Sequence, residues 1–395
     1  MQRFDVVVLG AGAAGLMCAI EAGRRGRRVL LLDHADRIGK KILISGGGRC
    51  NFTNIDCTWE NFLSENPHFA RSALARYTPA DFIAMVERHG IPYHEKTLGQ
   101  QFCDRSSRDI VTMLERECAE AGVQIQVDAC VESIARSDGG FSLQTSVGQL
   151  QAESVVVATG GLSIPRMGAT GFGYDVARRF GLRIVETRPG LVPLTFSAVD
   201  RETWCDLAGV SAEVVATVAG SSRRGARFRE KLLITHRGIS GPAVLQISSF
   251  WRPGEAVEFD LAPDRVVLEE MTGPQSPRDS AAALAGLRTV LPGRWADRWV
   301  ARHAPPVRVM SNVAIAAMEE QLHAWRIVPA GTEGYAKAEV TTGGVDTAEL
   351  DPRTLEARKV PGLFFIGEVV DVTGWLGGYN FQWAWASGFC AGQVA

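Results

Sequence analysis

The sequence lacks the features of several protein classes. No apolar run approaches the ~18 to 20 residues that cross a bilayer, and residues 4–9 enter a strand pattern instead of a signal peptide. The eight cysteines include no Cys-x-x-Cys pair, which argues against disulfide exchange and predicts reduced thiols. The 42 basic and 44 acidic residues nearly cancel, so no global charge draws the chain to nucleic acid or membrane. We expect a cytoplasmic protein without a structural metal.

What the chain does contain is enough apolar sequence for complete cores. Its 395 residues, 46% of them hydrophobic, predict two or three domains. No internal repeat or low-complexity segment interrupts them.

A glycine-rich turn follows the first apolar run. Gly10 permits a tight turn, Gly12 lets the backbone approach a pyrophosphate, and Gly15 lets the next helix pack on the strand. The spacing predicts that helix at about residues 13–24, with the amides at Ala13 and Ala14 facing the phosphates. A second, mainly apolar run, residues 28–32, is followed by Asp33, an acid at the offset expected to hold adenosine ribose hydroxyls. This order predicts a dinucleotide site.

A second glycine-rich signature lies near the other end of the sequence. Glu368 follows Gly367 after an apolar run, where an acid can hold ribityl hydroxyls, although a surface acid is the alternative. Gly378 precedes a predicted helix whose first amides, at Tyr379, Asn380 and Phe381, can stabilise negative charge on a reduced isoalloxazine. Both signatures make sense if they meet on one FAD molecule. The two ends of the chain are therefore predicted to be neighbours.

The loop predicted at residues 45–54 supplies further candidates. Its glycines, Gly46, Gly47 and Gly48, can line a pyrophosphate that Arg49 neutralises, or they can form a flexible loop. Cys50 is either the acid that protonates substrate carbon or a small buried residue. Residues 341–345 line the flavin edge or form a simple turn. The remaining cofactor candidates are Lys41, Asn51, Val131, Gly160, Gly161 and, less strongly, Asp371.

The pattern along the chain indicates an α/β fold. We predict a Rossmann-type FAD-binding domain of the two-dinucleotide-binding-domain flavoprotein type, formed by residues 1–188 and 335–395. It is interrupted by an antiparallel β-barrel domain, residues 189–262 and about 326–334, and by a small helical domain, residues 263–325. The tryptophans of the helical domain are predicted to be core residues. No second nicotinamide-binding unit is present, so NAD(P)H would dock transiently, with ping-pong kinetics.

One local concentration of positive charge lies at residues 223–231. Its candidates for RNA phosphate contact are Arg223, Arg224, Arg227 and Arg229, and the alternative is a solvated strand face. His236, just beyond, either points toward a catalytic cleft or is a structural histidine.

Three motifs together resemble those of the BaiN/RdsA family of bacterial flavoproteins: residues 40–54, residues 232–243 and residues 377–384. The resemblance implies flavin-dependent reduction of an activated carbon–carbon double bond. Within that family the substrate is either a uridine of 23S ribosomal RNA, reduced to dihydrouridine, or a small enone such as a bile acid. A noncatalytic flavin-binding module that contacts RNA or protein is the alternative from a different functional class.

Overall fold

The computed structural model describes residues 2–219 and 226–395 and divides into two compact units. The first unit comprises Met1–Pro189 and Glu339–Ala395, and the second comprises Gly190–Ala338. The first unit is therefore discontinuous in sequence. A separate helical domain within the second unit stays a prediction.

The helices of the described residues range from one to four turns. They are α1 (Ala13–Arg24), α2 (Lys40–Ile44), α3 (Ala70–Arg76), α4 (Pro79–Arg88), α5 (Arg108–Glu120), α6 (Phe172–Arg179), α7 (Ala198–Trp204), α8 (Pro242–Phe250), α9 (Ser280–Leu287), α10 (Gly293–His303), α11 (Asn312–His323) and α12 (Tyr379–Gly392).

The strands are mostly short. They are β1 (Gln2–Leu9), β2 (Val29–Leu32), β3 (Asn51–Asn54), β4 (Phe62–Leu63), β5 (Tyr93–Glu95), β6 (Gln100–Cys103), β7 (Gln124–Gln126), β8 (Val131–Ser137), β9 (Gly140–Thr145), β10 (Gly148–Val157), β11 (Ile184–Gly190), β12 (Leu194–Thr195), β13 (Ser211–Val218), β14 (Phe228–Ile234), β15 (Gly238–Ser240), β16 (Val257–Asp260), β17 (Trp325–Ile327), β18 (Gly331–Thr332), β19 (Val340–Val345), β20 (Leu363–Phe365) and β21 (Thr373–Gly374).

A parallel sheet forms the centre of the first unit. β1 pairs in parallel with β2 and β10, β10 pairs in parallel with β20, and β7 lies beyond β2. The apolar run of β1 is buried, as expected for a parallel strand covered on both faces. The carboxyl ends of these strands lead directly to Gly10, Asp33, Ala158 and Ile366. The candidate cofactor residues that follow them therefore share one edge of the sheet, where open α/β sheets bind their ligands.

The first and last helices pack closely because glycines face the contact. A Cβ built on Gly388 would lie 2.4 Å from the carbonyl oxygen of Ala14, and one on Gly392 would lie 2.7 Å from that of Cys18. The guanidinium of Arg25 donates to the carbonyl oxygens of Gly392 and Ala395 at 2.9 and 3.0 Å. The prediction that the two ends of the chain are neighbours is confirmed.

Residues 51–54 correct one expectation, because they form a strand and not a loop. β3 pairs antiparallel with β6, which in turn pairs with β5. Its polar residues Thr53 and Asn54 are completely buried. Polar sequence ordinarily predicts a loop, but here these side chains are hydrogen-bonded inside the protein, which makes their burial tolerable.

The second unit contains an inserted antiparallel sheet, as predicted. Its strand order is β17-β16-β13-β14-β15-β12-β18. A closed barrel would need β17 to pair with β18, and the described residues include no such pair.

Helix α8 was missing from the sequence prediction, which assigned only strands to this stretch. Helix α8 begins after Gly241, whose positive φ of +91° turns the chain out of β15. Pro242 then occupies the first turn of the helix, a position that proline favours. The expected helical stretch contains α9, α10 and α11. The rings of Trp295 and Trp299 are fully buried and pack against Trp325, so their assignment to the core is confirmed.

Candidate functional site

The three glycines of the first turn have different structural roles. Gly10 has a φ of +106°, and a Cβ there would lie 2.5 Å from the carbonyl oxygen of Ala158. A Cβ on Gly15 would lie 1.9 Å from the carbonyl oxygen of Gly10. Gly12 differs, because its φ is −84° and a Cβ would meet nothing within 4 Å. The fold thus requires Gly10 and Gly15, whereas Gly12 keeps a space open in front of the first amides of α1.

Asp33, at the carboxyl end of β2, holds this turn in place. One carboxylate oxygen accepts the N–H of Ala11 at 2.7 Å, and the other accepts that of Ala35 at 2.8 Å. The sequence did not indicate this bracing role. Each oxygen retains a lone pair, so a ribose contact is chemically compatible with both hydrogen bonds and stays a prediction.

A polar cluster joins four distant segments of the first unit. The ammonium of Lys41 donates to the hydroxyl of Ser163 and to Glu368 Oε2, both at 2.6 Å. Glu368 Oε1 accepts the backbone N–H of Thr341 at 2.9 Å and lies 3.2 Å from the Ser163 hydroxyl. A Cβ on Gly161 would lie within 2.6 Å of Thr341 Oγ1 and Glu368 Oε1. The glycine is therefore needed for close packing against this cluster.

The Lys41–Glu368 pair is partly buried, with side-chain exposures of 38% and 18%. It therefore presents opposite charges and several hydrogen-bonding atoms at the edge of the sheet where the parallel strands have their carboxyl ends. Sequence reasoning identified both residues but missed Ser163. Ser163 is buried, and nothing in the sequence marked it as a member of the cluster.

The second glycine-rich signature interlocks with β3. Gly378 has a φ of +96°, and a Cβ there would lie 2.5 Å from the carbonyl of Thr53. The Asn54 amide donates to the Gly377 carbonyl at 2.9 Å, and the Thr53 hydroxyl donates to Gln382 in α12 at 2.6 Å. These contacts fix the start of α12, whose first amides have no partner within the helix.

Two asparagines at this end have separate roles. The side chain of Asn380 accepts the Gly374 N–H and donates to the Gly374 carbonyl, both at 2.9 Å. It clamps the preceding loop, so any cofactor contact by Asn380 involves its backbone. Asn51 donates to Gln100 at 3.1 Å, but its Oδ1 atom is buried without a protein partner. A buried acceptor of this kind requires an additional donor.

The Gly46–Gly48 segment is a short 3₁₀ turn with positive φ at all three glycines. A Cβ on Gly47 or Gly48 would meet nothing within 4 Å. Arg49 is exposed beside them, and Gly160 likewise has a positive φ and open space around it. The open spaces at four glycines, the free amide end of α1 and the unpaired Asn51 oxygen fit a flavin dinucleotide. Lys41 and Glu368 lie at the same edge of the sheet.

The candidate acids lie in different surroundings. Cys50 is completely buried in the core, and burial raises the pKa of its thiol well above the ordinary range, although a Ser45 hydrogen bond opposes this shift. Burial also raises the pKa of Asp371 to about 6, while hydrogen bonds from the Glu65 N–H and the Ser64 hydroxyl oppose the increase. Through these two hydrogen bonds, Asp371 holds the segment after β4 in place.

Two further cofactor candidates have structural positions: Gly367 packs against Ala14, and Val131 begins β8.

The predicted residues of the second unit that the structure describes lie at its surface. His236 is exposed in the turn between β14 and β15. Arg227 is exposed, whereas Arg229 forms ion pairs with Glu213, at 2.8 Å, and with Asp264. Arg223 and Arg224 lie outside the described residues. The ion pairs with Glu213 and Asp264 make Arg229 less available to a phosphate than its sequence context suggests.

The described part of the chain offers neither a metal site nor a membrane-spanning helix. Residues 2–219 and 226–395 contain no group of three or more side chains placed to hold a metal ion. None of their helices is long and apolar enough to cross a membrane.

Comparisons with known proteins agree with this architecture. The chain is 51% identical over 397 residues to a ribosomal RNA dihydrouridine synthase of Escherichia coli, covering 100% of this chain and 98% of that protein. It is 31% identical over 414 residues to a 3-dehydro-bile acid delta(4,6)-reductase of Clostridium scindens, with coverages of 100% and 99%. A quinol-fumarate reductase solved with menaquinol molecules shares the fold, with a TM-score of 0.52 at 16% identity, covering 99% of this chain and 70% of that one.

The family model described as "HI0933-like protein Rossmann domain" matches residues 4–394. With the two full-length relatives, this match confirms the resemblance that the three sequence motifs indicated. The chain belongs to the HI0933-like family, in which the BaiN-type and RdsA-type flavoproteins are its relatives.

Proposed function

We propose that this chain reduces a uridine of ribosomal RNA to dihydrouridine, with FAD as its flavin and NADH or NADPH as the electron source. The observation that carries the proposal is the 51% identity to a ribosomal RNA dihydrouridine synthase over essentially both whole chains. We accordingly expect the activity in the cytoplasm, where ribosomal RNA is found.

The reaction balances as a transfer of two hydrogens. The C5=C6 bond of uracil is conjugated to a carbonyl, so C6 accepts a hydride and C5 accepts a proton. NAD(P)H loses the hydride and becomes NAD(P)⁺. A bound flavin supplies the two-electron carrier between them. Because the sequence contains no second dinucleotide-binding unit, reductant and RNA are expected to use the site in turn.

The residues of the first unit would hold the flavin in three places. The space at Gly12 and the first amides of α1 would receive the pyrophosphate. The Lys41–Glu368 pair would orient the ribityl chain, since it presents both donors and acceptors. The amides at the start of α12 would favour negative charge on the isoalloxazine. Asn51 Oδ1, which has no donor within the protein, would accept a hydrogen bond from the flavin.

The proton for C5 needs an acid that is protonated at neutral pH. A thiol is ordinarily protonated at neutral pH, and burial raises the pKa of Cys50 further, but its complete burial requires local movement before substrate can reach the thiol. His236 is the exposed alternative on the second unit. Both assignments remain proposals.

The experiment that tests this function uses ribosomal RNA lacking dihydrouridine. Purified protein, NADPH and the unmodified RNA are incubated, and nucleosides are analysed by mass spectrometry. The proposal predicts one uridine converted to a product heavier by two hydrogens, dependent on flavin. NADPH oxidation without any dihydrouridine would contradict it.

A small enone is the second candidate substrate, favoured by the 31% identity to a bile-acid reductase over both full lengths. The matched assay replaces RNA by a 3-oxo-Δ4 steroid. Rapid reduction of the steroid together with inert RNA would favour this function over the first.

A further inference from the structure

A surface cavity of the first unit is lined by residues of α2 and of the start of α5, by Met167, and by Gly48 of the Gly46–Gly48 segment. Its volume is about 390 Å³, within the usual range of ligand sites. Lys41 contacts Ser163 and Glu368, whereas its neighbour Lys40 lines the cavity. We call this cavity the basic pocket. Its charged and apolar walls are formed by Arg37, Lys40, Arg108, Leu43, Ile44 and Met167.

The charge of the basic pocket is positive. Three of its lining side chains are cations, and none of the described residues that line it is acidic. Arg37 and Lys40 each pair with Asp36 at 2.9 Å, so one carboxylate offsets two cations. These are exposed surface pairs, which water and salt weaken. The pocket therefore retains attraction for an anion.

The shape of the pocket is fixed by hydrogen bonds beneath it. The Ser107 N–H donates to the Gly48 carbonyl, and the Ser107 hydroxyl donates to the Leu43 carbonyl, both at 2.8 Å. Ser107 is only 2% exposed. At the start of α5 the Arg108 N–H is already bonded to Ser106 Oγ at 3.2 Å. The attraction for an anion thus comes from side chains and not from the helix end.

Apolar surface lies beside these cations. Ile44 is 44% exposed, and Leu43 and Met167 line the same cavity. A cation next to open apolar surface suits a nucleotide, in which a phosphate adjoins the face of a base. Unstacked bases of single-stranded RNA are recognised in this way.

We propose that the basic pocket binds a phosphate and the adjoining base of single-stranded ribosomal RNA flanking the target uridine. This proposal rests on the proposed function. An RNA strand is favoured over the pyridine nucleotide because the cations are at the surface, with Arg37 64% exposed, and a polyanion can contact several of them together. The basic pocket would add an RNA contact on the first unit to the arginine contacts that the sequence suggested at residues 223–231 of the second unit.

The test compares Lys40→Gln/Arg108→Gln with the control Arg71→Gln/Arg116→Gln. The control removes the same charge from exposed positions of the first unit that do not line the pocket. Binding of an unmodified 23S ribosomal RNA segment is measured across salt concentrations. The pocket variant should bind more weakly, with a slope of log K against log salt flatter by about 1.4, since removing each single-strand phosphate contact changes the slope by about 0.7. The control should retain the wild-type slope.

A second variant, Ile44→Glu, places a negative charge in the pocket at an exposed position and should also weaken RNA binding. Equal RNA affinity and slope in the pocket variant and the control would overturn the proposal. So would a raised KM for NADPH with unchanged RNA binding, which would assign the pocket to the pyridine nucleotide.

Dihydrouridine formation by the wild-type protein is measured in parallel. If the wild-type protein forms none, the proposed function fails, while the binding comparison still decides whether the pocket contacts RNA.

Discussion

Replacing Gly12 by valine tests where the flavin pyrophosphate binds. The backbone at Gly12 has an ordinary φ of −84°, and a Cβ there would meet no protein atom within 4 Å. The protein itself should therefore accept the change and fold. The valine side chain would instead fill the space in front of the first amides of α1, where the phosphates are proposed to lie.

The expected decrease in affinity follows from the bonds removed. A hydrogen bond to a charged group is worth about 1.5 to 3 kcal/mol. Displacing the phosphates from two amides, those of Ala13 and Ala14, then costs about 3 to 6 kcal/mol, or about 10² to 10⁴ in the dissociation constant for FAD. Gly12→Ala, with a smaller side chain, should give an intermediate decrease.

The assay compares flavin absorbance per chain with thermal unfolding of the flavin-free protein. Gly12→Val should be colourless after purification and should unfold as cooperatively as flavin-free wild type. Gly15→Ala provides the contrast, because its Cβ would overlap the Gly10 carbonyl at 1.9 Å and should destabilise the fold itself. Full flavin occupancy in folded Gly12→Val would refute the placement of the phosphates.

Replacing Cys50 by alanine should slow substrate reduction by about 10²-fold or more, the usual scale for a general acid, while flavin content and flavin reduction by NADPH stay unchanged; unaltered turnover would leave Cys50 as a packing residue. The raised pKa of Asp371, about 6 against 3.8, means that the folded protein binds this proton more tightly. The wild-type free energy of unfolding should therefore fall as pH rises between these values, by up to about 3 kcal/mol. Urea unfolding of Asp371→Asn should lack that component, and identical pH profiles would contradict it. Neutralising the arginines at 223, 224, 227 and 229 together should flatten the salt dependence of RNA binding by about 0.7 units of slope for each single-strand phosphate that is no longer bound. Arg227→Gln should account for more of this change than Arg229→Gln, and the reverse order would show that the ion pairs of Arg229 open on binding.

The parts of the fold that local sequence determines were predicted well. Helix α1 has the predicted bounds, Ala13–Arg24, because Gly10, Gly12 and Gly15 specify the turn that starts it. The order of strand, helix, strand and acid likewise predicted the sheet edge at Asp33. These features depend on neighbouring residues, so periodicity and glycine spacing are sufficient to recognise them.

The parts that depend on distant partners were not visible in the sequence. β3 becomes a strand because β6, about 50 residues later, pairs with it. The bracing of Ala11 by Asp33, the position of Ser163 and the grouping of Lys40 with Arg108 all require the folded chain. A candidate residue can be named from its motif, but its hydrogen-bond partners come from tertiary structure.

The close contact of α12 with α1 has a consequence for synthesis on the ribosome. β20 and α12, which complete the sheet and cover the first helix, are translated after all of Gly190–Ala338. While the second unit is being synthesised, the first unit therefore has an incomplete core and an unpaired edge at residues 155–157 of β10. Nascent chains in that interval present apolar surface and an open sheet edge, which are targets for chaperones and sources of aggregation. Slow elongation through residues 190–338 would prolong this exposure, so the yield of folded protein should fall when translation slows there.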